Sequence, residues 1–108
     1  MDHKTVEAYL LSMPNARLDY PFDKTAAVYK VHDKIFAIIR EGSDPLRISL
    51  KCDPELSKLL REKYESIMPA DHMNKKHWNT IILSGQSSWD EIKGFIRHSY
   101  NLVADGEE

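Results

Sequence analysis

The densest group of chemically capable side chains in this sequence lies in residues 72–80, which read HMNKKHWNT. Imidazole groups can bind metal ions, ammonium groups can contact phosphate, and an asparagine amide can read the edge of a base. No residue in the segment dictates a reaction by itself. Its chemistry therefore depends on which elements of the fold position these side chains, and on which other residues they meet there.

The spacing of the histidines argues against a metal site in this segment. His72 and His77 are five residues apart. On a helix this spacing turns the two side chains away from each other, whereas a spacing of four would align them. Asp71 is the only other metal-binding residue type nearby, and the remaining three histidines fall in other predicted elements. We therefore predict neither a metal nor a cofactor.

The sequence pattern also contains no recognisable catalytic constellation. There is no GxSxG nucleophile elbow, and the four glycines are scattered, so no phosphate-binding loop is predicted. Cys52 is the only cysteine, which excludes an intrachain disulfide, and no base lies close to it in sequence. We therefore predict a non-enzymatic protein in which Cys52 is a partly buried small residue.

A phosphate-binding surface is one interpretation of the basic residues. Residues 75–77 form a local cationic group, and two more basic residues lie on the polar side of a predicted strand. Such contacts would position a DNA duplex, whereas sequence reading would need base-edge contacts from an asparagine or arginine. The candidate DNA-binding residues are Arg47, Lys51, Asn74, Lys75, Lys76 and His77.

The same segment also has a purely structural interpretation. Residues 72–77 would then be a polar loop that leads into a strand, with Trp78 packed in the core and the lysines facing water. Asn74 or Asn79 would hydrogen-bond backbone groups at the turn into that strand. Both interpretations stay open at the level of sequence.

Length and charge restrict the function further. A chain of 108 residues supports one domain, which we place at residues 1–104, followed by an acidic tail at 105–108. The net charge of −2 argues against strong non-specific affinity for nucleic acid, although without the tail acids there are 15 basic against 14 acidic residues. No apolar run approaches the length of about 20 residues that crosses a bilayer. The N-terminus lacks the apolar core of a signal peptide, so we expect a cytoplasmic protein with no membrane contact.

Periodicity predicts a helix over residues 4–13, an irregular connection up to about residue 24, and then three strands. The strands are expected at 26–31, 34–40 and 46–51, with a tight turn at His32-Asp33. In the third strand Leu46, Ile48 and Leu50 alternate with polar residues, so one face packs on the core and the other meets water or a partner.

The second half of the chain predicts helix, one or two strands, and helix. Asp53-Pro54 is a typical helix start, and an apolar stripe follows it. Residues 66–70 suggest a short edge strand, residues 78–83 a longer strand, and Ser88 to Glu91 a capping box. The predicted apolar stripe of the middle helix consists of Leu56, Leu59, Leu60 and Tyr64. The fold class is therefore α+β, with an antiparallel sheet, helices on one face, and the order α-β-β-β-α-β(β)-α.

Five motifs, taken together, resemble the MmcQ/YjbR family across nearly the whole chain. They are YPF, a VYKV…KIFA hairpin, SLKCDPE, PADHMNKKHWNT and a late SY, and they occur in the family's order. Asp23 departs from the pattern, because many members have glycine after the YPF-like segment. The motif positions beyond the candidate DNA contacts, which we expect to be structural, are His72, Trp78, Thr80, Ser99 and Tyr100.

The resemblance implies a CyaY-like fold and a role as a small DNA-binding protein whose hairpins act as a double wing. It carries over no catalytic residues. Two other functions remain open. A protein-interaction or chaperone-like module would present an apolar patch near Trp78 or Tyr29, and a ligand binder would bring His72, His77 and Lys51 into one pocket.

Overall fold

A computed structural model describes residues 1–71 and 73–106 of the chain. Its elements within these residues are α1 (His3–Leu11), β1 (Arg17–Asp19), β2 (Ala26–Val31), β3 (Lys34–Arg40), β4 (Arg47–Lys51), α2 (Pro54–Lys63), β5 (Ile67–Pro69), β6 (Trp78–Ile82) and α3 (Trp89–Ala104).

The six strands form a single antiparallel sheet in the order β1-β2-β3-β4-β6-β5. Because side chains alternate along a strand, each cross-strand row belongs to one face. The row of Ala27, Ile39, Ile48, Ile81 and Ile67 lies on the helix side and is buried there. Apolar residues of all three helices complete this core. The predicted α+β class with two layers is confirmed.

Local sequence signals explain where the helices begin. The carboxylate of Asp2 accepts the backbone N–H of Thr5, and that of Asp53 accepts those of Glu55 and Leu56. Before α3, Ser88 and Glu91 cap each other reciprocally, as the capping-box pattern predicts. These contacts satisfy backbone donors that have no partner within the helix.

The turn between β2 and β3 is made by His32 and Asp33, as predicted. Both residues have positive φ angles, 53° and 62°. This is the conformation of a two-residue type I′ turn, whose twist matches that of the strands it joins. Asp33 is also paired with Arg17 of the neighbouring edge strand.

Two sequence predictions about the elements were wrong. The connection before β2 is not wholly irregular, because residues 17–19 form the edge strand β1. All three of its residues are exposed, so it has no apolar alternation by which to recognise it. In the predicted stripe of the middle helix, Leu59 is not buried, since it is 62% exposed, whereas Leu60 and Tyr64 lie in the core.

At the C-terminus, α3 ends at Ala104 and Asp105 caps it. Glu107 and Glu108 of the predicted acidic tail lie outside the described residues. None of the helices in the described part of the chain is both long and apolar enough to cross a membrane.

Candidate functional site

The segment before β6 is a turn organised by Asn74. Its carbonyl accepts the backbone N–H groups of His77 and Trp78, at 3.0 and 2.9 Å, and its side-chain Oδ1 accepts that of Lys76 at 3.0 Å. An asparagine amide used in this way fixes a turn. Asn74 is therefore occupied by the backbone of its own loop, and the lysine side chains project from a defined turn.

Arg61 of α2 holds this turn against the rest of the fold. Its Nε donates to Oδ1 of Asn79 at 2.7 Å, and its Nη2 donates to the carbonyl oxygens of Lys75 and Trp78. The amide of Asn79 donates in turn to Oγ of Ser57 at 3.3 Å. Asn79 is 2% exposed and reaches the helix layer, so of the two asparagines proposed for the turn it is the other one that forms it.

The result is a concave basic surface between α2 and the turn. It has about 940 Å³ of empty space that is open to solvent. We call its basic lining residues the basic cluster; they are Lys58, Arg61, Lys75, Lys76 and His77. Pro54 completes the lining, and no acidic side chain lines it among the residues that the structure describes. The α2 residues of this lining come together because positions 54, 58 and 61, at helical spacing, share one face of α2.

The remaining basic candidates lie elsewhere on the molecule. Arg47 begins β4 and Lys51 ends it, so the two are at opposite ends of the same strand face. Lys51 is opposite Trp78 of β6 and its backbone N–H bonds Oγ of Ser99 at 2.9 Å. Sequence reasoning grouped these residues with the lysines of the turn, whereas the fold gives them different neighbours.

Arg47 lines a second concave surface, on the sheet face that has no helices. This surface, which we call the sheet groove, has about 1050 Å³ of empty space and is open to solvent. Its lining residues are Phe22, Ala26, Ile38, Arg40, Ser43, Arg47, Ser49, Asp71, Met73 and Thr80. Thr80 and Ser49 are opposite each other in the sheet, and their hydroxyl oxygens are 3.0 Å apart.

Asp23 organises the segment that leads into the sheet groove. Its Oδ1 accepts the backbone N–H groups of Thr25 and Ala26 and the hydroxyl of Thr25. The bonds from Thr25 lower the pKa of the Asp23 carboxyl, with a smaller contribution from Arg40. The aspartate at this position thus forms its own turn, which explains how the chain accommodates its departure from the glycine of the family pattern.

The other motif positions in the described residues are buried or pack against buried residues. Trp78 is 8% exposed, and its carbonyl accepts the backbone N–H of Ala70. Ser99 is fully buried and donates to the carbonyl of Phe36 at 2.6 Å. Tyr100 packs edge-to-face on Phe36 and donates its hydroxyl to the carbonyl of Pro14. His72 lies outside the described residues.

The structure lacks the features expected of the protein-interaction module and of the ligand binder in the residues that it describes. Trp78 and Tyr29 are buried, so neither contributes an exposed apolar patch. Lys51 and His77 line different cavities. Among residues 1–71 and 73–106, no three metal-binding side chains come together. Burial raises the pKa of the Cys52 thiol, although a hydrogen bond with Ser57 acts in the opposite direction.

Sequence reasoning missed the residues that shape both concave surfaces. Arg61 was not among the candidate residues, because nothing in the sequence pattern indicated that it would hydrogen-bond to the turn. Arg40 and Phe22 were not singled out, because one ends a strand and the other lies in an irregular segment. The signal that could have found Lys58 and Arg61 is their spacing of three residues, which places both on one face of a helix.

Comparison with known proteins gives consistent matches. The model of the YjbR family matches residues 11–102. The uncharacterised protein YbdF of Escherichia coli O157:H7 is 38% identical over 104 residues, which cover 96% of this chain and 85% of YbdF. The uncharacterised protein YjbR of E. coli K12 is 35% identical over 97 residues, which cover 90% of this chain and 82% of YjbR.

Solved structures match the fold as well. Deinococcus radiodurans protein DR2400, which contains a DUF419 domain, superposes with a TM-score of 0.90 at 34% identity, over 95% of this chain and 78% of that one. A crystal structure of a Pseudomonas syringae protein gives a TM-score of 0.80 at 32% identity, over 94% of this chain and 98% of that one.

Proposed function

This chain belongs to the YjbR family, and from that premise we propose that it binds double-stranded DNA through the basic cluster and catalyses no reaction. The observation that carries the proposal is the concave surface between α2 and the turn before β6. It brings side chains from two separate segments of the sequence together around one space that is open to solvent.

The charge of the basic cluster suits a phosphate backbone. Lys58, Lys75 and Lys76 are exposed, and Arg61 adds a fourth fixed positive charge beside them. Lysine is a point charge on a flexible stem, which binds phosphate without demanding one geometry. Because the turn is fixed by Asn74 and Arg61, the ammonium groups start from an ordered backbone.

The acidic residues of α2 leave this surface open. Glu55 and Glu62 are exposed on the same helix but do not line the concave surface. A helix repeats every 3.6 residues, so positions 55 and 62 occupy a neighbouring face. With a net charge of −2 for the whole chain, attraction to DNA must come from this local cluster rather than from the overall field.

Binding by this surface should be independent of DNA sequence. Lysine ammonium groups contact phosphates, and phosphate contacts position a protein without reading bases. Asn74, the base-reading candidate of the turn, is engaged by its own backbone. The proposal therefore places non-specific, salt-sensitive affinity in the cluster and none in Asn74.

Charge reversal tests the proposal. Fluorescence anisotropy with a labelled duplex at about 50 mM salt should show binding by the wild-type protein, and Lys75→Glu with Lys76→Glu should reduce affinity at least about tenfold. The matched control is Lys4→Glu with Lys24→Glu, which changes two exposed lysines elsewhere and gives the same net charge.

The control distinguishes local contact from overall charge. If the control pair weakens binding as much as the cluster pair, attraction is general and the cluster is not the DNA site. Absence of binding by the wild-type protein at tens of micromolar would contradict DNA binding altogether.

A further inference from the structure

We propose that the sheet groove binds a small organic carboxylate with a flat apolar body. The inference concerns a different surface from the basic cluster and does not depend on DNA binding. It rests on three features of the groove, which are a pair of arginines at one end, an apolar floor with a central hydroxyl pair, and an exposed aromatic side chain at the rim.

The first feature is the placement of Arg40 and Arg47. Ile38 and Ser49 are opposite each other on this face, and the two arginines are each two residues closer to the β3–β4 connection. By alternation, both guanidinium groups start from the same sheet face on neighbouring strands, and both line the groove. Like charges at neighbouring cross-strand positions repel, so a bound anion would stabilise this arrangement.

The two arginines differ in how far they are already engaged. Arg40 donates to Oγ1 of Thr25 at 2.8 Å and lies 3.6 Å from Oδ2 of Asp23. Within residues 1–71 and 73–106, the Arg47 guanidinium forms no hydrogen bond or ion pair. A guanidinium with its donors unused can bind a carboxylate through two parallel hydrogen bonds. Arg47 is therefore the anion-recognising residue, and Arg40 adds charge from a fixed position.

The second feature is the floor. Ala26 and Ile38 supply apolar surface, and beside Ile38 the Ser49 and Thr80 hydroxyls face each other at 3.0 Å. One hydroxyl hydrogen is used between them, which leaves the pair able to donate one further hydrogen bond. A ligand that is apolar over most of its surface and polar at a few points fits such a floor.

The third feature is Phe22 at the rim. Phe22 is 68% exposed. Met73, in the segment before β6, also lines the groove. Exposed phenylalanine next to a concave surface provides a ring on which a flat group can stack. Met73 is an adaptable contact, because thioether side chains fit many shapes.

The charge and size of the groove select the ligand class. Among the lining residues that the structure describes, the charged ones are Asp71 and the two arginines, and Asp23 offsets the charge of Arg40 alone. The cavity volume of about 370 Å³ lies within the range of about 300–1,000 Å³ for small-molecule sites. A single carboxylate on an aromatic or alicyclic body therefore matches the groove in charge and in size.

A titration of the full chain with 1-naphthoate tests this inference, with binding monitored through the NMR chemical shifts of the backbone amides. We expect saturable shifts at Ile38, Ser49 and Thr80. Arg47→Gln should weaken 1-naphthoate binding at least tenfold, because it removes the charge-assisted hydrogen bonds. Arg97→Gln is the matched control, at an exposed arginine of α3 whose Nη1 donates to the Tyr9 hydroxyl. This control should leave the affinity unchanged.

Two further probes separate the anionic and apolar requirements. 1-Naphthalenemethanol lacks the charge and acetate lacks the ring, so each should bind at least tenfold more weakly than 1-naphthoate. Phe22→Ala should weaken the binding of 1-naphthoate but not that of acetate, which has no ring to stack on Phe22. Equal binding of the neutral alcohol would overturn anion recognition by Arg47. If 1-naphthoate shifts only amides outside the groove, or shifts no amide at all, the groove is not its binding site.

Discussion

At the scale of single residues, buried polar groups decide how the basic cluster is held. Asn79 has its side chain between Arg61 of α2 and Ser57 of the same helix, and it is almost completely buried. A buried amide is costly unless its hydrogen bonds are made. The charge of Arg61 is therefore positioned by a neutral partner, which leaves that charge uncompensated beside the lysines of the turn.

Replacement of Asn79 by alanine should destabilise the fold by about 1–3 kcal/mol, because the half-buried Nε of Arg61 loses its acceptor and the buried hydroxyl of Ser57 loses its donor. Urea unfolding measures the change. Asn101→Ala, at an exposed position of α3, serves as the control and should change the free energy of unfolding by no more than about 0.5 kcal/mol. Equal effects of the two variants would mean that the Asn79 bridge contributes nothing.

Glu91 links a helix cap to the hydroxyl of a core tyrosine. The hydrogen bond from Tyr64 lowers the pKa of the Glu91 carboxyl, and the backbone N–H of Ser88 adds to this. Because the folded pKa is below the unfolded value, the stabilisation is complete above the unfolded pKa. It is lost as the pH falls through the folded pKa.

The Glu91→Gln variant tests this linkage. Unfolding measured from about pH 7 down to about pH 3 should show wild type more stable at neutral pH and the difference shrinking in acid. Glu62→Gln, at an exposed position of α2, is the control and should show no such convergence. A difference between wild type and Glu91→Gln that stays constant with pH would contradict the linkage.

At the scale of elements, the periodic segments were predictable and the edges of the sheet were not. The strands β2 and β3 follow from their β-branched and aromatic residues, and β4 follows from alternation. The caps of α2 and α3 follow from Asp53 and Ser88. The edge strand β1 is three exposed residues long, so its pairing is set by tertiary contact. The exposure of Leu59 was unpredictable for a similar reason, because helical spacing does not show how far the core extends around the helix.

Two glycines give a matched test of local packing. At Gly85 an added Cβ would lie 2.4 Å from Cβ of Ser66, whereas at Gly94, inside α3, the nearest other atom would be 3.7 Å away. Gly85→Ala should therefore destabilise the protein by about 1–3 kcal/mol through overpacking. Gly94→Ala should stabilise it by about 1 kcal/mol through helix propensity. Thermal unfolding of both variants checks the signs, and a stabilised Gly85→Ala would contradict the tight approach.

At the scale of the whole molecule, the sheet separates two different surfaces. The helix layer carries α2 and the basic cluster, and the bare face carries the sheet groove with Arg47. Sequence proximity correctly grouped Lys75, Lys76 and His77, but it could not show that α2 supplies their neighbours. It also could not separate Arg47 from them, because a residue's type does not reveal which concave surface it lines.

Because the basic cluster is separate from the sheet groove, the number of its phosphate contacts can be counted from the salt dependence of DNA binding. If Lys58, Lys75 and Lys76 are the phosphate contacts, about three counterions are released, and the logarithm of the binding constant should fall with the logarithm of salt concentration at a slope of about −3. Removing two of the three contacts should bring the slope close to −1. The Arg47→Gln variant should leave the slope unchanged, because Arg47 lies on the other surface.

The most direct measurement is this salt dependence, taken with one duplex for the wild type and for the variant with Lys75→Glu and Lys76→Glu. The basic cluster predicts a slope about two units less negative in the variant than in the wild type. Equal slopes in the two proteins would contradict the account, because the lysines of the turn would then make no contact with DNA phosphate.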